Sequence, residues 1–216
     1  MEFELWGQIP YEVCEEQQLK FVDEIAKGTR ESTVVFCSHP PVVTLGRSTK
    51  PQDVGTWAGA TFQVRRGGRA TYHGPDQLVA YFLVNLNKPP LEIKIKDIFG
   101  LLRFIETSSI QLLNLYGLHA RGKTLDPQLP SGTIDPNLND TGVWVSEKKI
   151  ASVGIAVRKW VSYHGIALNL YQSDLAFQGI QPCGFESQVM TNLEKELGRK
   201  VSSTEVINNW MSILKK

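Results

Sequence analysis

Cys183 is the strongest candidate for a nucleophile in this chain. It lies in the turn sequence IQPCGF, between a proline and a glycine and outside any apolar period, so its thiol is expected to face a pocket. An ordinary thiol, with a pKa of about 8.5, is only a few per cent ionised at neutral pH and needs a nearby cation, base or helix N-terminus. The alternative is a structural cysteine, the more usual role of a lone thiol.

Lys149 is the candidate partner of this thiol, because it begins the apolar segment KIASVGIAV. A lysine ammonium beside the thiol would lower the thiol pKa by about one to three units, whereas a desolvated lysine could act as a neutral base. The sequence leaves both roles open. A second lysine precedes it, and a lysine pair at a hairpin turn is usually solvated, which is the alternative to a catalytic role.

A glycine-rich loop, RRGGRATYHGPDQ, is the second segment that could contact a substrate. Its glycines permit positive φ and a close backbone approach to a ligand. Cations and ring side chains lie on the same loop: Arg66, Arg69, Tyr72 and His73. The loop therefore predicts a binding wall, and the alternative is a sharp bulge between two strands. It matches neither the GxxxxGK[ST] phosphate loop nor the GxGxxG dinucleotide pattern.

The elements around these residues predict an α+β domain with a largely antiparallel sheet. Strands are indicated by β-rich or alternating segments, and helices by apolar residues at a period of 3.6. The predicted strands are 3–9, 33–38, a strand that enters and a long β run that leaves the glycine-rich loop within 62–86, and a meander over 142–170. The predicted helices run from Tyr11 to near Gly28, over 94–117, and within 188–215.

Turn residues complete this outline. Glu147-Lys148 and Arg158-Lys159 are predicted hairpin turns within the meander. The segment 121–142 is rich in Pro, Gly, Asn and Asp, which predicts a long irregular loop. Loops of this length are often functional lids.

Composition narrows the class of protein. The 216 residues suit one domain, 1–216, and a net charge of +1 does not favour nucleic acid or a membrane surface as a partner. No apolar run reaches the roughly 18 residues needed to span a bilayer, and the acidic N-terminus is unlike a signal or transit peptide. We therefore expect a cytoplasmic protein. Cys14 and Cys37 fall on apolar patterns and are expected as core thiols, with no metal site or disulfide framework.

Three segments together resemble the lipoyl(octanoyl) transferase family: RRGGRATYHGPDQ, EKKIASVGIAVRKWVSYHGIALNL and IQPCGF. They occur in the family's order, and HPPVVTLGRST near the N-terminus also fits. The resemblance covers residues 39–193, which is most of the chain. It implies a biotin/lipoate protein ligase-like fold, a single domain with a mainly antiparallel or mixed sheet flanked by helices.

The resemblance also implies roles for particular residues. Cys183 would carry the acyl group as a thioester, and Lys149 would lower its pKa or act as acid and base. Substrate contacts would come from the loop, the lysine strand and the strand after it: Arg66, Gly67, Gly68, Arg69, Ala70, Thr71, Tyr72, His73, Ser152, Val153, Gly154, Gly165, Ile166 and Ala167. His164 is expected to orient a strand end or the lysine.

The implied reaction passes octanoyl from octanoyl-acyl carrier protein to lysines of lipoyl domains, those of 2-oxoacid dehydrogenases and the glycine cleavage H protein, without a cofactor. The alternatives are an ATP-dependent lipoate or biotin ligase and a non-catalytic acyl- or carrier-binding module. The chain departs from the family's usual pattern at Arg69, where Gln or Lys is more usual, and at Asp76, where Gly is common. The loop before GVWV is also longer than the family suggests.

Overall fold

The computed structural model describes residues 1–90, 92–122, 141–184 and 187–215. Across these residues the fold is mixed α+β, with a larger and a smaller sheet and with helices packed on both faces of the larger one. The predicted fold class is therefore confirmed. No helix among the described residues has both the length and the apolar character needed to cross a membrane.

The larger sheet holds most of the strands. Only its first pair is parallel, and the other neighbours are antiparallel. Numbered along the chain and given in their order across the sheet, the strands are β1 (Glu2–Gln8), β2 (Thr33–Ser38), β6 (Gln77–Leu83), β10 (Val161–Asn169), β9 (Lys148–Arg158), β8 (Gly142–Val145) and β7 (Ala120–Gly122). The smaller sheet has the order β4 (Ala60–Gln63), β3 (Val42–Leu45) and β5 (Thr71–His73).

The helices begin and end close to the predicted positions. They are α1 (Tyr11–Lys27), α2 (Ile98–Leu115), α3 (Leu193–Leu197) and α4 (Ser203–Leu214). Pro10 precedes α1, and Gly28, with a φ of 77°, ends it in the left-handed conformation that glycine tolerates. The Asp97 side chain caps α2 by accepting a hydrogen bond from the Gly100 amide at 2.7 Å.

Two predicted turns are wrong by one residue. The turns lie at Ser146–Glu147 and Lys159–Trp160, so that Lys148 and Arg158 belong to β9. Both Lys159 and Trp160 have positive φ, as a type I′ hairpin turn requires, but neither is the glycine or asparagine that usually marks such a turn. Most of the predicted loop 121–142, residues 123–140, lies outside the described residues.

Alternating side chains of the larger sheet point to opposite faces and pack into two apolar cores. Val34, Phe36 and their neighbours on one face pack against α2 and α4, where Trp210 is fully buried. Val35, Cys37 and their neighbours on the other face pack against α1. This second face carries the cavity described next.

Candidate active site

A cavity lies on the α1 face of the larger sheet, with about 480 Å³ of empty space that is partly open to solvent. Its floor is open because β9 and β10 carry small residues there. Ser152 pairs with Ala167 across the two strands, and Gly154 pairs with Gly165. Large side chains at these positions would fill the space, as they do elsewhere in the core.

The glycine-rich loop forms a wall of this cavity, and Arg66 holds the loop in place. Its guanidinium donates to Thr44 Oγ1 at 2.7 Å, to the Thr44 carbonyl at 3.0 Å and to the Arg69 carbonyl at 2.9 Å. The Gly67 amide donates to the Ile155 carbonyl at 3.2 Å, which brings the loop down onto β9. A Cβ on Gly154 would lie 3.1 Å from Arg66 Cδ, so glycine permits this close crossing.

Aromatic and imidazole rings form another part of the wall. Tyr11 stacks on His73 with ring centroids 5.6 Å apart, and the Tyr11 hydroxyl lies 3.4 Å from His164 Nδ1. Burial, assisted by the charge of Arg66, lowers the pKa of His164 to about 3, and burial lowers the pKa of His39 to about 4. Both rings are therefore neutral at pH 7, and the His164 ring adds polarity to the cavity wall without charge.

Lys149 is completely buried on β9, although it follows an exposed lysine. Its Nζ lies 5.7 Å from the centroid of the Trp144 ring. A Cβ on Gly142 would lie 2.7 Å from Lys149 Cε, so the absence of a side chain at Gly142 leaves room for the lysine stem. Burial excludes the solvated turn lysine that the sequence left as the alternative.

The turn that carries Cys183 is a short 3₁₀ helix, Pro182–Gly184, which lies against β5. After this turn the chain returns to β9. Met190 forms a parallel bridge with Lys149, and the Thr191 amide donates to the Lys149 carbonyl at 3.0 Å. The lysine strand is thus tied to the segment that follows the cysteine turn. The Cys183 side chain lies outside the described part of the structure, so the pairing of its thiol with Lys149 stays a prediction.

Most residues predicted to contact substrate surround the cavity. Those that line it are Arg66, Gly68, Thr71, His73, Ser152, Val153, Gly154, Gly165, Ile166 and Ala167. Four others do not. Ala70 and Tyr72 belong to a small core with Phe177 and Ile180, Gly67 anchors the loop, and Arg69 pairs with Asp53. The binding role of each residue remains a prediction.

Four cavity-lining residues were not among the predicted contacts: Tyr11, Val79, Tyr81 and His164. Tyr11 begins α1 and Tyr81 lies in β6, so only the packing of a helix on a sheet brings them to the loop. His164 has a φ of 61°, unusual for a residue other than glycine, and its amide donates to Gln18 Oε1 at 2.8 Å. Helix α1 thus fixes the His164 backbone, and the His164 ring lines the cavity. Its role in orienting a strand end or Lys149 stays a prediction.

Cys14 and Cys37 are core thiols, as the sequence predicts, and lie beside His39. The potential ligand atoms of the three residues lie within 4.8 Å of one another. They are already engaged in hydrogen bonds: His39 contacts the Ile9 carbonyl at 2.7 Å and the Tyr81 hydroxyl at 2.8 Å. Burial raises the pKa of the Cys37 thiol and so disfavours the thiolate that a metal ion would need.

Comparison with known proteins agrees with this fold. Residues 10–215 match the family model of the lipoyl protein ligase A/B catalytic domain. The octanoyltransferase of Bdellovibrio bacteriovorus is 43% identical over 204 residues, which cover 94% of this chain and 92% of that protein.

Two solved structures have a similar fold. The bipartite lipoate protein ligase of Thermoplasma acidophilum superposes with a TM-score of 0.62 at 17% identity, covering 98% of this chain and 81% of its own. The biotin protein ligase of Aquifex aeolicus superposes with a TM-score of 0.52 at 12% identity, covering 100% of this chain and 68% of its own. The chain therefore belongs to the lipoyl protein ligase A/B catalytic domain family. Within that family it is an acyltransferase of the octanoyltransferase group.

Proposed function

We propose that this enzyme carries an octanoyl group as a thioester on Cys183 and passes it to a lysine amine of a lipoyl domain. The proposal rests chiefly on the buried Lys149, whose backbone is bonded to the segment following the cysteine turn. The cavity floor, formed by small residues of this lysine strand and of β10, supplies space for an acyl chain.

The reaction would proceed in two balanced transfers. The Cys183 thiolate attacks the carbonyl of octanoyl-acyl carrier protein, and the pantetheine thiolate leaves and takes up a proton. The acceptor lysine amine then attacks the Cys183 thioester, forming an amide and losing a proton as the Cys183 thiolate departs. Exchange of one thioester for another is nearly thermoneutral, whereas formation of the amide is favourable, so neither transfer needs ATP.

Lys149 supports both transfers in this scheme. As an ammonium it favours the thiolate of Cys183, by the attraction of opposite charges in a site without bulk water. As a neutral amine it would take the proton from the incoming lysine. Both roles need a lysine that is buried and held in place, as the packing of Lys149 between Trp144 and Gly142 provides.

The acyl chain would contribute much of the binding energy. About six methylenes of octanoyl would be buried, worth roughly 5 kcal/mol at about 0.8 kcal/mol each. A hexanoyl chain would lose only about 1.6 kcal/mol by the same measure, whereas a much longer chain would meet the cavity wall. Discrimination is therefore expected to be weaker against short chains than against long ones.

Intact-protein mass spectrometry after mixing with octanoyl-acyl carrier protein tests the proposal. We expect an octanoyl increment on the wild type, formed without ATP, and none on Cys183→Ser. A wild-type protein that gains no increment without ATP but transfers octanoate with ATP would be a ligase instead. Binding of the acyl carrier without any adduct would identify a non-catalytic module.

The partners follow from the same proposal. The donor would be octanoyl-acyl carrier protein, and the acceptors would be lipoyl domains of 2-oxoacid dehydrogenases and the glycine cleavage H protein. A cytoplasmic location stays a prediction, to be checked by cell fractionation. Incubation of the octanoylated enzyme with each purified acceptor domain would show which one removes the increment.

A further inference from the structure

A buried ion pair lies against the turn that carries Cys183. Arg69 Nε donates to Asp53 Oδ2 at 2.8 Å, and a second guanidinium nitrogen pairs with Asp53 Oδ1. The Asp53 side chain is fully buried and that of Arg69 is 13% exposed. Burial alone would raise the pKa of Asp53, but the hydrogen bond and charge of Arg69, with a backbone hydrogen bond from Lys50, hold that pKa below its usual value. Both partners are therefore charged.

This ion pair contacts the turn at both ends. At the start, the Gln181 amide donates to the Asp53 carbonyl at 2.9 Å. At the end, the Arg69 guanidinium occupies the place that a Cβ on Gly184 would take, and Gly184 has the positive φ of 85° that glycine tolerates. The Gly184 amide donates to the Gln181 carbonyl at 2.9 Å and closes the turn between these two contacts.

The same pair joins the turn to the cavity wall. The Arg69 carbonyl accepts a hydrogen bond from Arg66, which is bonded in turn to Thr44 of β3. A continuous set of contacts thus runs from the wall of the cavity to the backbone on either side of Cys183.

We propose that Arg69 and Asp53 are positioning residues that hold the Cys183 backbone in register with the cavity. This role rests on the proposed function, in which Cys183 is the acyl carrier. The bidentate contact pairs the positive guanidinium with the negative carboxylate, so the pair as a unit carries no net charge. The pair therefore acts through geometry, whereas Lys149 supplies the charge that acts on the thiol.

Single substitutions should separate the effect of the pair on the geometry of the turn from the effect of its charges on the thiol pKa. Asp53→Asn removes the negative charge of the pair and lowers the pKa of the Cys183 thiol, whereas Arg69→Gln removes the positive charge and raises it. The double variant restores a thiol pKa near that of the wild type. All three loosen the turn, and kcat for acylation falls by on the order of 10²-fold with KM little changed, because a misplacement of about 1 Å costs that much.

The thiol pKa is measured from the pH dependence of alkylation at Cys183, read by peptide mass spectrometry, and kcat from stopped-time octanoylation. Arg30→Gln is the matched control, since it breaks two ion pairs, with Glu4 and with Glu24, at the far edge of the sheet and should change neither quantity. If the Gln and Asn variants do not fold, Arg69→Lys keeps the charge with poorer geometry and should lower kcat without shifting the thiol pKa.

The outcomes distinguish this inference from the proposed function. A wild-type enzyme that forms no octanoyl adduct overturns the acyl-carrier role itself. A wild-type enzyme that forms the adduct, with variants that keep its kcat, overturns only the positioning role. Shifts of the thiol pKa in the same direction in both single variants would overturn the cancellation of charge.

Discussion

Ala167 offers the sharpest test of the acyl cavity, because its side chain lies on the cavity floor with 4% exposure. Ala167→Leu adds three carbon atoms to this floor and should displace about three methylenes of a bound acyl chain. At about 0.8 kcal/mol per methylene, the variant would lose about 2.4 kcal/mol of binding free energy for the octanoyl chain, which lowers kcat/KM roughly 60-fold. Hexanoyl, two methylenes shorter, would lose only about 0.8 kcal/mol, or roughly fourfold.

The assay compares kcat/KM for octanoyl- and hexanoyl-acyl carrier protein in the wild type and the variant. The preference should move toward hexanoyl by roughly 15-fold in Ala167→Leu, and by a smaller factor in Ala167→Val. A thermal melt of each variant separates this effect from destabilisation by overpacking, which lowers transfer of both chains alike. Equal loss for the two chains in a well-folded variant would refute the placement of the acyl chain on this floor.

Two further predictions follow from buried ionisable groups. Lys149→Ala should slow alkylation of Cys183 at pH 7 by about tenfold or more, because loss of a neighbouring ammonium raises the thiol pKa. Lys148→Ala, at an exposed position, is the control and should leave the alkylation rate unchanged. Equal rates in both variants would show that Lys149 does not activate the thiol. Lowering the pH from 7 to 4 should reduce the free energy of unfolding by about 3 kcal/mol for each of His39 and His164. In the unfolded chain these rings take up protons near pH 6.5, whereas in the native state burial lowers their pKa values to about 4 and about 3. Urea unfolding at several pH values checks this, and a His164→Asn variant with an unchanged slope would contradict it.

Local signals in the sequence predicted the individual elements well. The apolar period with Pro10 and Gly28 at its ends gave α1, and alternating residues gave the strands of the meander. The turn at Lys159–Trp160 was missed by one residue, because its positive φ values are imposed by strand pairing and not by residues that prefer them. The burial of Lys149 was also not predictable from the sequence, because a pair of lysines near a turn is usually solvated. Only the fold places Lys149 between Gly142 and Trp144.

The sequence by itself determined the fold class, the family and the residues able to do chemistry, because these depend on periodicity and on short motifs within single segments. The tertiary structure decided what those residues contact. Tyr11 and Tyr81 reach the cavity only because α1 packs on the larger sheet. Arg69 meets Asp53 across 16 positions of the chain and lies against Gly184 in the turn of Cys183. Such contacts depend on packing between distant segments, which no local pattern of residues specifies.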